Sequence, residues 1–423
     1  MKKNILVFPC GSEVALEIFR SLRYSRHFYL IGANSIDDHG RFFYKDYIGN
    51  VPFVSSPRII QNLKEIVDSR KIDAIYPAMD LVNSVLKNSE DQIGCKIIGS
   101  CKETVNICAS KRLTYNILSS FVKVPKIFDP NQVDNFPVFS KPDIGYGSRN
   151  TQIIYNKDML SANINNFPHN IICQYLPGDE YTVDCFTDKY RNLKVCIPRK
   201  RIRIENGIST NTKIVAENID EFRKFAIEIN NILEFRGAWF FQVKRDENSK
   251  LCLLEVASRI GGSSGIVRNL GINLALLTLF DAFDFDVEII SNDYYIEFDR
   301  ALDEYYKIGI DYDEVYIDLD DCIIIDDQLN IEMIKFLYQC INRKIKITLL
   351  TRHRDNIYSI LALFRIENIF DRVFFVAENR NKSEYIDNRN SIFIDDSFAE
   401  RKSVHNFLKI PVFSPDMIRS LLE

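Results

Sequence analysis

The chain of 423 residues is long enough for two to four domains, and its 46% hydrophobic and 26% charged residues are ordinary for a folded protein. A formal net charge of −4 argues against general nucleic-acid binding, because proteins that neutralise many phosphates carry a net basic face. No apolar run approaches the roughly 18 residues of a membrane span, and Glu13 and Glu17 interrupt the start too early for a signal peptide. We therefore predict a cytoplasmic protein without membrane or nucleic-acid partners.

The cysteines and histidines argue against a metal centre built from these residues. The ten cysteines are scattered without a CxxC pair, and the chain has five histidines. This usage fits reduced thiols rather than a disulfide framework or a zinc site.

Residues 1 to about 110 alternate short apolar runs with helical patterns, which predicts a parallel sheet with crossover helices. We expect strands at NILVFP, HFYLIGA, AIYPAM and KIIGS, and helices near residues 12–22, 57–68 and 81–89. The first strand-to-helix turn, FPCGSEVA, has one glycine where a dinucleotide fingerprint has three, so no nicotinamide site is expected. We expect this domain to shape a substrate pocket.

Two further domains are predicted from the change of pattern along the chain. Longer strands and hairpins with interspersed helices continue to Gly309, which predicts an α+β domain. Residues 312–423 return to alternation, with strands at VYIDLDD, KITLLT, RVFFVA and SIFIDD and helices near 331–342, near 356–363 and from about Ser383. The predicted fold class is α/β and α+β multidomain, with domains at 1–110, 111–309 and 312–423.

Lysines and a glycine loop at the start of the middle domain fit a phosphate-binding site. Lys111 opens a predicted helix, and Lys141 ends the strand PVFSK. The loop PDIGYGSRN follows, and its glycines and Ser148 can fold over phosphates and offer backbone N–H groups.

The next clusters fit the remaining parts of a nucleotide. In IICQYLPGDEYTVDCF a short hinge between two strands can present backbone groups to an adenine edge, and Glu180 is placed to accept from ribose hydroxyls. Gln242 in WFFQVKRD and Glu255 in LLEVAS lie on strands that a hairpin would bring together, and Mg²⁺ prefers such oxygen ligands. Arg259 and two glycines follow, a combination that suits a metal-bound polyphosphate.

The run CIPRKRIRIENGIS has two interpretations. Strand alternation puts Arg199, Arg201 and Arg203 on one face, where three guanidinium groups suit a carboxylate or phosphate acceptor. A solvated strand face fits equally well, since Lys200 and Glu205 lie in the same run.

The KPxxGxGS run at Lys141, the QYLPGDEYTVD hinge and the ExxxR run with two glycines at Glu255 together resemble the ATP-grasp superfamily, over residues 1 to 309. The resemblance is closest to the carbamoyl-phosphate-synthetase-like and carboxylate-amine ligase branches. It implies a Rossmann-like pre-ATP-grasp domain before an ATP-grasp domain, with ATP and Mg²⁺ as cofactors. The implied roles are phosphate binding by Lys111 and Lys141, adenine binding by Gln174 and the backbone near Leu176, ribose binding by Glu180, Mg²⁺ binding by Gln242 and Glu255, and contact with the transferred phosphoryl group by Arg259.

Two positions depart from the pattern of these relatives. Ala257 stands where many relatives have an asparagine two residues after the metal-binding glutamate, and its methyl group cannot bind metal. Gln242 stands where other branches have a carboxylate, which leaves fewer negative charges to hold metal.

Acidic residues follow the strands predicted in the last domain. VYIDLDD places Asp318 and Asp320 two residues apart, so both carboxylates leave the strand tip on the same side. KITLLT ends at Thr351, Lys382 begins a predicted helix, and SIFIDD ends at Asp395 and Asp396. A parallel sheet gathers such strand ends at one edge. A receiver domain is the nearest competitor, but it requires an aspartate where Thr351 stands.

The order DxD, Thr, Lys, DD resembles the haloacid dehalogenase (HAD) superfamily over residues 312–423. The resemblance implies a phosphatase in which Asp318 is the nucleophile, Asp320 is the general acid and then base, and Thr351 and Lys382 hold phosphoryl oxygens. The Mg²⁺ ligands that it implies are Asp318, Asp320, Asp395 and Asp396. Because the motif spacings leave room for about one helix each, we expect a capless, open Rossmannoid domain.

Together, the two resemblances imply a bifunctional enzyme, an ATP-grasp ligase fused to a HAD-type phosphohydrolase. The expected substrates are a small-molecule carboxylate, an amine and a phosphorylated compound, and homo-oligomerisation stays open. Two alternatives also stay open. The first part could be a kinase, or it could be a nucleotide sensor that regulates the phosphatase.

Overall fold

The computed structural model describes residues 2–23, 25–145, 147, 149–205, 207–291, 296–300, 309–352 and 357–422. The chain divides into two compact units, Met1–Ala301 and Leu302–Glu423. Among the helices in these described ranges, none combines the length and hydrophobicity that crossing a bilayer requires.

The first unit begins with a five-stranded parallel sheet in the order β3-β2-β1-β4-β5. Its elements are β1 (Lys3–Phe8), α1 (Glu13–Leu22), β2 (Phe28–Ala33), β3 (Asp46–Ile48), α2 (Ile59–Arg70), β4 (Ala74–Pro77), α3 (Asp80–Asn88), α4 (Glu90–Ile93), β5 (Lys96–Ile97) and α5 (Lys102–Ala109), with a 3₁₀ turn at His39–Phe42.

Helix α1 shows how local sequence produces this layer. The Ser12 side chain accepts from the Ala15 N–H and so caps the helix. Buried residues recur every three or four positions, at Ala15, Ile18 and Leu22, so one face of the helix packs into the core. The helix ends at Leu22, where the Arg23 N–H still bonds to the Phe19 carbonyl.

A four-stranded antiparallel sheet follows, in the order β6-β9-β7-β8. Its elements are α6 (Lys111–Leu118), β6 (Ile127–Phe128), β7 (Val138–Pro142), β8 (Gln152–Ile154), α7 (Lys157–Asn166) and β9 (Asn170–Gln174), with a 3₁₀ turn at Pro130–Gln132.

The largest sheet of this unit has six antiparallel strands in the order β14-β13-β10-β11-β12-β15. Its elements are β10 (Glu180–Thr187), β11 (Leu193–Glu205), β12 (Ile208–Ile214), α8 (Ile219–Ile232), β13 (Gly237–Arg245), β14 (Leu251–Ala257), α9 (Gly265–Asn269), α10 (Leu274–Ala282) and β15 (Glu297–Asp299). The register pairs Gln242 with Glu255, as expected for a hairpin of β13 and β14.

The first hydrophobic core joins the two ends of this unit. It packs Val7 of β1 and Ile18 of α1 in one cluster with Ile266 of α9 and Leu274 of α10. The N-terminal sheet therefore packs with the segment that follows the glycine pair Gly261–Gly262.

The second unit is a five-stranded parallel sheet in the order β20-β19-β16-β21-β22, with a small hairpin of β17 and β18. Its elements are β16 (Glu314–Ile317), β17 (Ile324–Ile325), β18 (Gln328–Leu329), α11 (Ile331–Arg343), β19 (Lys346–Thr351), α12 (Ile357–Leu363), β20 (Arg372–Phe375), β21 (Ser391–Ile394), α13 (Phe398–Leu408) and β22 (Val412–Phe413), with 3₁₀ segments at Lys382–Tyr385 and Pro415–Leu421.

One predicted helix of this unit is corrected by the structure. The sequence predicts a helix from about Ser383, but the segment is a single 3₁₀ turn, Lys382–Tyr385. A capping box between Asn381 and Glu384 starts the turn, and Asp387 and Asn388 then use their side chains to bond Arg372 and Asp313 instead of continuing a helix.

Candidate functional site

A cavity of about 220 Å³ in the first unit is lined by residues of both antiparallel sheets. The residues proposed from the sequence that line it are Lys111, Lys141, Gln174, Leu176, Glu180, Arg201, Gln242 and Glu255. Arg199, Arg203 and Arg259 are not among the lining residues, and Ser148 lies outside the described part of the chain. The cavity thus brings together residues that are far apart in sequence.

The cavity lining includes apolar side chains that suit a planar base. Phe139, Ile153 and Leu254 are among them, and Leu176 at the hinge is buried. Gln174 ends β9 and also lines the cavity, and its Nε2 donates to the Glu247 carboxylate at 3.4 Å. Apolar side chains combined with a few polar groups are typical of small-molecule pockets.

Lys141 is held by a tyrosine that the sequence did not single out. Its ammonium Nζ donates to the Tyr115 hydroxyl (2.5 Å) and to the Leu254 carbonyl (3.2 Å), and the Tyr115 hydroxyl in turn donates to the same carbonyl (2.6 Å). Burial lowers the pKa of Lys141. An ammonium has three N–H donors, so one remains for a group in the cavity. Tyr115 precedes Lys141 by 26 positions on α6, a separation that no local pattern connects.

Helix α6 is tied to the loop after Lys141. The Ser110 hydroxyl caps the helix and also donates to the Asp143 carboxylate at 2.9 Å. The Lys111 Nζ donates to the carbonyls of Asp143 and Gly145, each at 3.4 Å. These contacts hold Lys111 against the loop, whose glycines Gly145 and Gly147 line the cavity together with both lysines.

The charge of the lining favours a polyanion. The cationic side chains among the described lining residues are Lys111, Lys141, Arg149, Arg201 and Lys244, and the carboxylates are Glu180 and Glu255. Because these cationic side chains line one small cavity, they would attract a polyphosphate strongly. The lining therefore fits ATP, and the Glu255 carboxylate and Gln242 amide are oxygen donors of the kind Mg²⁺ takes.

Two oxygen donors of the cavity lining, Glu180 and Gln242, already have a protein partner. The Arg201 Nη1 contacts the Glu180 carboxylate and donates to Gln242 Oε1 at 3.0 Å. Glu180 also lies 4.0 Å from Lys244 Nζ. Of the two cavity carboxylates, Glu180 is therefore neutralised by neighbouring cations.

The three arginines of β11 do not form one anion-binding surface, which corrects the shared-face expectation. Arg199 is buried and bonds Asp184 (2.6 Å) and Ser263 (2.9 Å), whereas Arg203 is exposed and bonds Asp299 (2.8 Å). Register irregularities on both sides of Arg203 break the simple alternation on which the expectation depended.

Arg259 is anchored to the N-terminal sheet layer. Its Nη2 donates to Asp80 at the start of α3 (2.5 Å), its guanidinium lies 5.2 Å from the Phe240 ring centroid, and its Nε is buried without a hydrogen-bond partner. Gly261, two residues later, approaches the buried Arg199–Asp184 pair so closely that a Cβ would lie 2.9 Å from Arg199 Nη2. The glycine turn thus depends on the absence of a side chain there.

In the second unit, acidic side chains gather at the carboxyl edge of the parallel sheet. Among the residues the structure describes there, Asp318, Asp395 and Asp396 each offer an oxygen within 4.8 Å of the others. Lys382 Nζ lies 2.9 Å from Asp318 Oδ1 and 2.6 Å from Asp395 Oδ2. Three carboxylates at this distance are a donor set that fits Mg²⁺. Thr351 is buried at the end of β19, and Asp320 is exposed.

Burial shapes the electrostatics of this cluster. It raises the pKa of Asp318 to about 7, opposed by the attraction of Lys382 and reinforced by Asp395. The pKa of Lys382 is raised overall, because the two carboxylates outweigh the effect of burial. The negative charge of Asp395 opposes ionisation of Asp318, and a bound cation would offset this repulsion in addition to Lys382.

Two arginines fasten the loops that carry the cluster. Arg352 donates to the Glu400 carboxylate and to the carbonyls of Ala377 (2.8 Å) and Arg380 (2.7 Å). Arg401 Nη1 donates to the carbonyls of Asp395 and Asp396, each at 2.6 Å. Neither arginine was singled out from the sequence. Arg352 reaches carbonyls 25 and 28 positions further along the chain, and Arg401 bonds the carbonyls of nearby Asp395 and Asp396, which no sequence motif marks.

A family model described as ATP-grasp in the biosynthetic pathway with Ter operon matches residues 166–293. No curated protein sequence matches the chain.

Similar solved structures cover a larger part of the chain than the family model does. The chain is similar to the biotin carboxylase domain dimer of Hydrogenobacter thermophilus 2-oxoglutarate carboxylase, solved with MgADP, ADP and bicarbonate (15% identity, 70% of this chain and 74% of that chain, TM-score 0.60). It is also similar to Staphylococcus aureus N5-carboxyaminoimidazole synthetase complexed with ADP (14% identity, 68% of this chain and 79% of that chain, TM-score 0.58). A third similar structure is an L-amino acid ligase from Bacillus licheniformis (16% identity, 67% of this chain and 74% of that chain, TM-score 0.55).

Proposed function

Because the chain carries the ATP-grasp fold, we propose that its first unit is an ATP- and Mg²⁺-dependent ligase that activates a carboxylate for attack by an amine or similar nucleophile. The observation that carries the proposal is a single cavity whose lining combines Lys111, Lys141 and Glu255 with apolar side chains. We assign this activity to the domains at 1–110 and 111–309.

The proposed reaction proceeds in two steps on substrates that the cavity holds. In the first, a carboxylate oxygen attacks the γ-phosphorus of ATP, the bond to the β–γ bridging oxygen breaks, and ADP leaves. In the second, the amine attacks the acyl carbon, phosphate leaves with the C–O bond electrons, and the amine proton passes to solvent. The enzyme mainly positions the reactants and neutralises charge.

Individual side chains have distinct parts in this scheme. Lys141, oriented by Tyr115, and Lys111 bind the phosphates, and Gln174 and the hinge backbone near Leu176 bind the adenine. When bound, Mg²⁺ on Glu255 neutralises phosphate oxygens. We assign contact with the transferred phosphoryl group to Arg259, which is outside the described cavity lining and donates to Asp80.

The ligase proposal is tested by product analysis. Purified full-length protein is incubated with Mg-ATP and a panel of carboxylates and amines, and release of ADP and phosphate together with an amide is expected for at least one pair. A phosphorylated acceptor without an amide would identify a kinase instead. Nucleotide binding without turnover across the panel would contradict the ligase.

We further propose that the second unit, residues 312–423, is a capless HAD-like phosphatase. The carrying observation is the cluster of Asp318, Asp395 and Asp396 around Lys382. Asp318 attacks the phosphorus of a phosphate ester, and the leaving alcohol takes a proton from Asp320. Water then attacks the phosphorus of the aspartyl-phosphate and gives its proton to Asp320. The bond between phosphorus and the Asp318 carboxylate breaks, and phosphate is released. When bound, Mg²⁺ would offset the repulsion between the carboxylates and the phosphate. Thr351 and Lys382 hold the oxygens of the phosphoryl group.

The phosphatase proposal is tested with a generic aryl phosphate. Asp318→Asn should abolish Mg²⁺-dependent hydrolysis while nucleotide binding to the first unit is unchanged. Unchanged hydrolysis in this variant would remove Asp318 as the nucleophile.

A further inference from the structure

Arg201 bridges two oxygen donors of the cavity, and a role for it in nucleotide binding rests on the proposed ATP-dependent function. Its Nη1 donates to Gln242 Oε1 (3.0 Å) and contacts the Glu180 carboxylate, and its Nη2 donates to the Gly207 carbonyl (2.7 Å). The Arg201 side chain is only 5% exposed, so water competes little for these contacts. Its Nε is buried without a hydrogen-bond partner.

This position conflicts with a metal ion on Gln242. Mg²⁺ binds oxygen at about 2.1 Å, so an ion on Gln242 Oε1 would lie within roughly 5 Å of Arg201 Nη1. The guanidinium is always charged and would repel the ion. The amide of Gln242 is neutral and contributes no charge to offset the repulsion.

Among the described lining residues, the positions near Glu255 and Gln242 offer no replacement ligand. Ala257 follows Glu255 by two residues on β14, so its methyl group is on the same face of the strand as the carboxylate. Glu180 and Glu255 are the carboxylates among the described lining residues, and Glu180 is paired with Arg201. Within the described lining, Glu255 is thus the carboxylate left for a metal.

We propose that this ATP site takes one divalent cation, held by Glu255 and the nucleotide phosphates, and that the Arg201 guanidinium provides the positive charge of a second ion. A guanidinium can take the place of a second cation, because it binds phosphate oxygens through paired N–H groups. Its orientation is set by Glu180 and Gln242, so both residues act through Arg201. The cation count therefore distinguishes this site from one with two carboxylate-bound metals.

The test counts metal ions directly. Mn²⁺ replaces Mg²⁺, and bound Mn²⁺ is measured by electron paramagnetic resonance on the full chain with and without β,γ-methylene-ATP. The difference isolates nucleotide-dependent ions from any ion at the second unit. We expect one nucleotide-dependent Mn²⁺ per chain, and two would overturn the proposal.

Variants test whether Arg201 is the cause. The double variant Arg201→Ala/Gln242→Glu should bind two nucleotide-dependent Mn²⁺ ions, because it removes the guanidinium and restores a carboxylate. Arg203→Ala, on the same strand but outside the cavity, should leave the count at one. A double variant that binds nucleotide with one ion would show that Arg201 does not exclude the second, and would overturn the proposal. The wild-type count does not depend on variant folding.

Failure of the ATP site itself gives a different result. Binding of a fluorescent ATP analogue to the wild type is measured first, with Mn²⁺ present. Absence of binding would refute the ATP site and the single-cation proposal with it. Binding accompanied by two ions would refute the single-cation proposal alone.

Discussion

Replacing Tyr115 with phenylalanine tests how Lys141, the proposed phosphate-binding lysine, is held. The variant removes the hydroxyl that accepts from Lys141 at 2.5 Å, but keeps the ring, whose centroid lies 5.1 Å from the ammonium. The Leu254 carbonyl still accepts from Lys141 at 3.2 Å. One hydrogen bond to a buried charge is therefore lost while the packing is preserved.

The variant also loses the bond from the Tyr115 hydroxyl to the Leu254 carbonyl, but the expected effect on ATP binding is that of the lost bond to Lys141. Hydrogen bonds to charged groups contribute about 1.5–3 kcal/mol. Because one carbonyl acceptor remains, we take the lower end, about 1.5 kcal/mol, which corresponds to roughly tenfold weaker ATP binding. Losing an acceptor also destabilises the charged ammonium, so the pKa of Lys141, already lowered by burial, should fall further.

The assay is the dissociation constant of a fluorescent ATP analogue as a function of pH. Lys141 must be protonated to bind phosphate, so affinity is lost as pH rises through its pKa. The lower pKa in Tyr115→Phe should move this loss to lower pH than in the wild type. Tyr44→Phe is the matched control, since Tyr44 is also buried and its hydroxyl donates to the Ala15 carbonyl at 2.9 Å away from the cavity. Wild-type affinity and an unchanged pH profile in Tyr115→Phe would refute the reasoning.

Three other perturbations have defined outcomes. Arg199→Ala should lower the free energy of unfolding in urea by about 3–5 kcal/mol, because Asp184 stays buried without its partner; Arg199→Met combined with Asp184→Leu should recover most of that loss, and an equal loss in both would contradict the account. Asp395→Asn should raise the Mg²⁺ concentration for half-maximal aryl phosphate hydrolysis at least about 100-fold, whereas exposed Asp326→Asn should not. Arg352→Lys should lower kcat for that hydrolysis about tenfold with little change in KM, because it loosens the loop before Lys382, the proposed phosphate-binding lysine; an unchanged kcat would show that the bonds from Arg352 to this loop are dispensable.

The features that are predictable from the sequence are those with a short-range cause. Strand and helix periodicity and the Ser12 cap define β1 and α1 within a few residues of the observed limits. The hairpin that pairs Gln242 with Glu255 is expected from two adjacent apolar runs. In each case the determining interactions lie within one or two neighbouring elements.

The features that are not predictable have partners far along the chain. Nothing in CIPRKRIRIE shows that Arg199 will meet Asp184 or that Arg203 will meet Asp299. The strand pairing is irregular around Arg203, so simple alternation does not predict which face of the strand this residue occupies. The Tyr115 contact with Lys141 likewise exists only after α6 has packed against β14.

The shared core of Val7, Ile18, Ile266 and Leu274 has a practical consequence for dissecting the chain. A fragment that begins at residue 111 would leave the apolar faces of α9 and α10 bare, and exposed apolar patches of this kind promote aggregation. Co-expression of residues 1–110 as a separate polypeptide should restore solubility by covering that surface. Work on the cavity of the first unit in isolation is therefore best done with that unit kept whole, through residue 301.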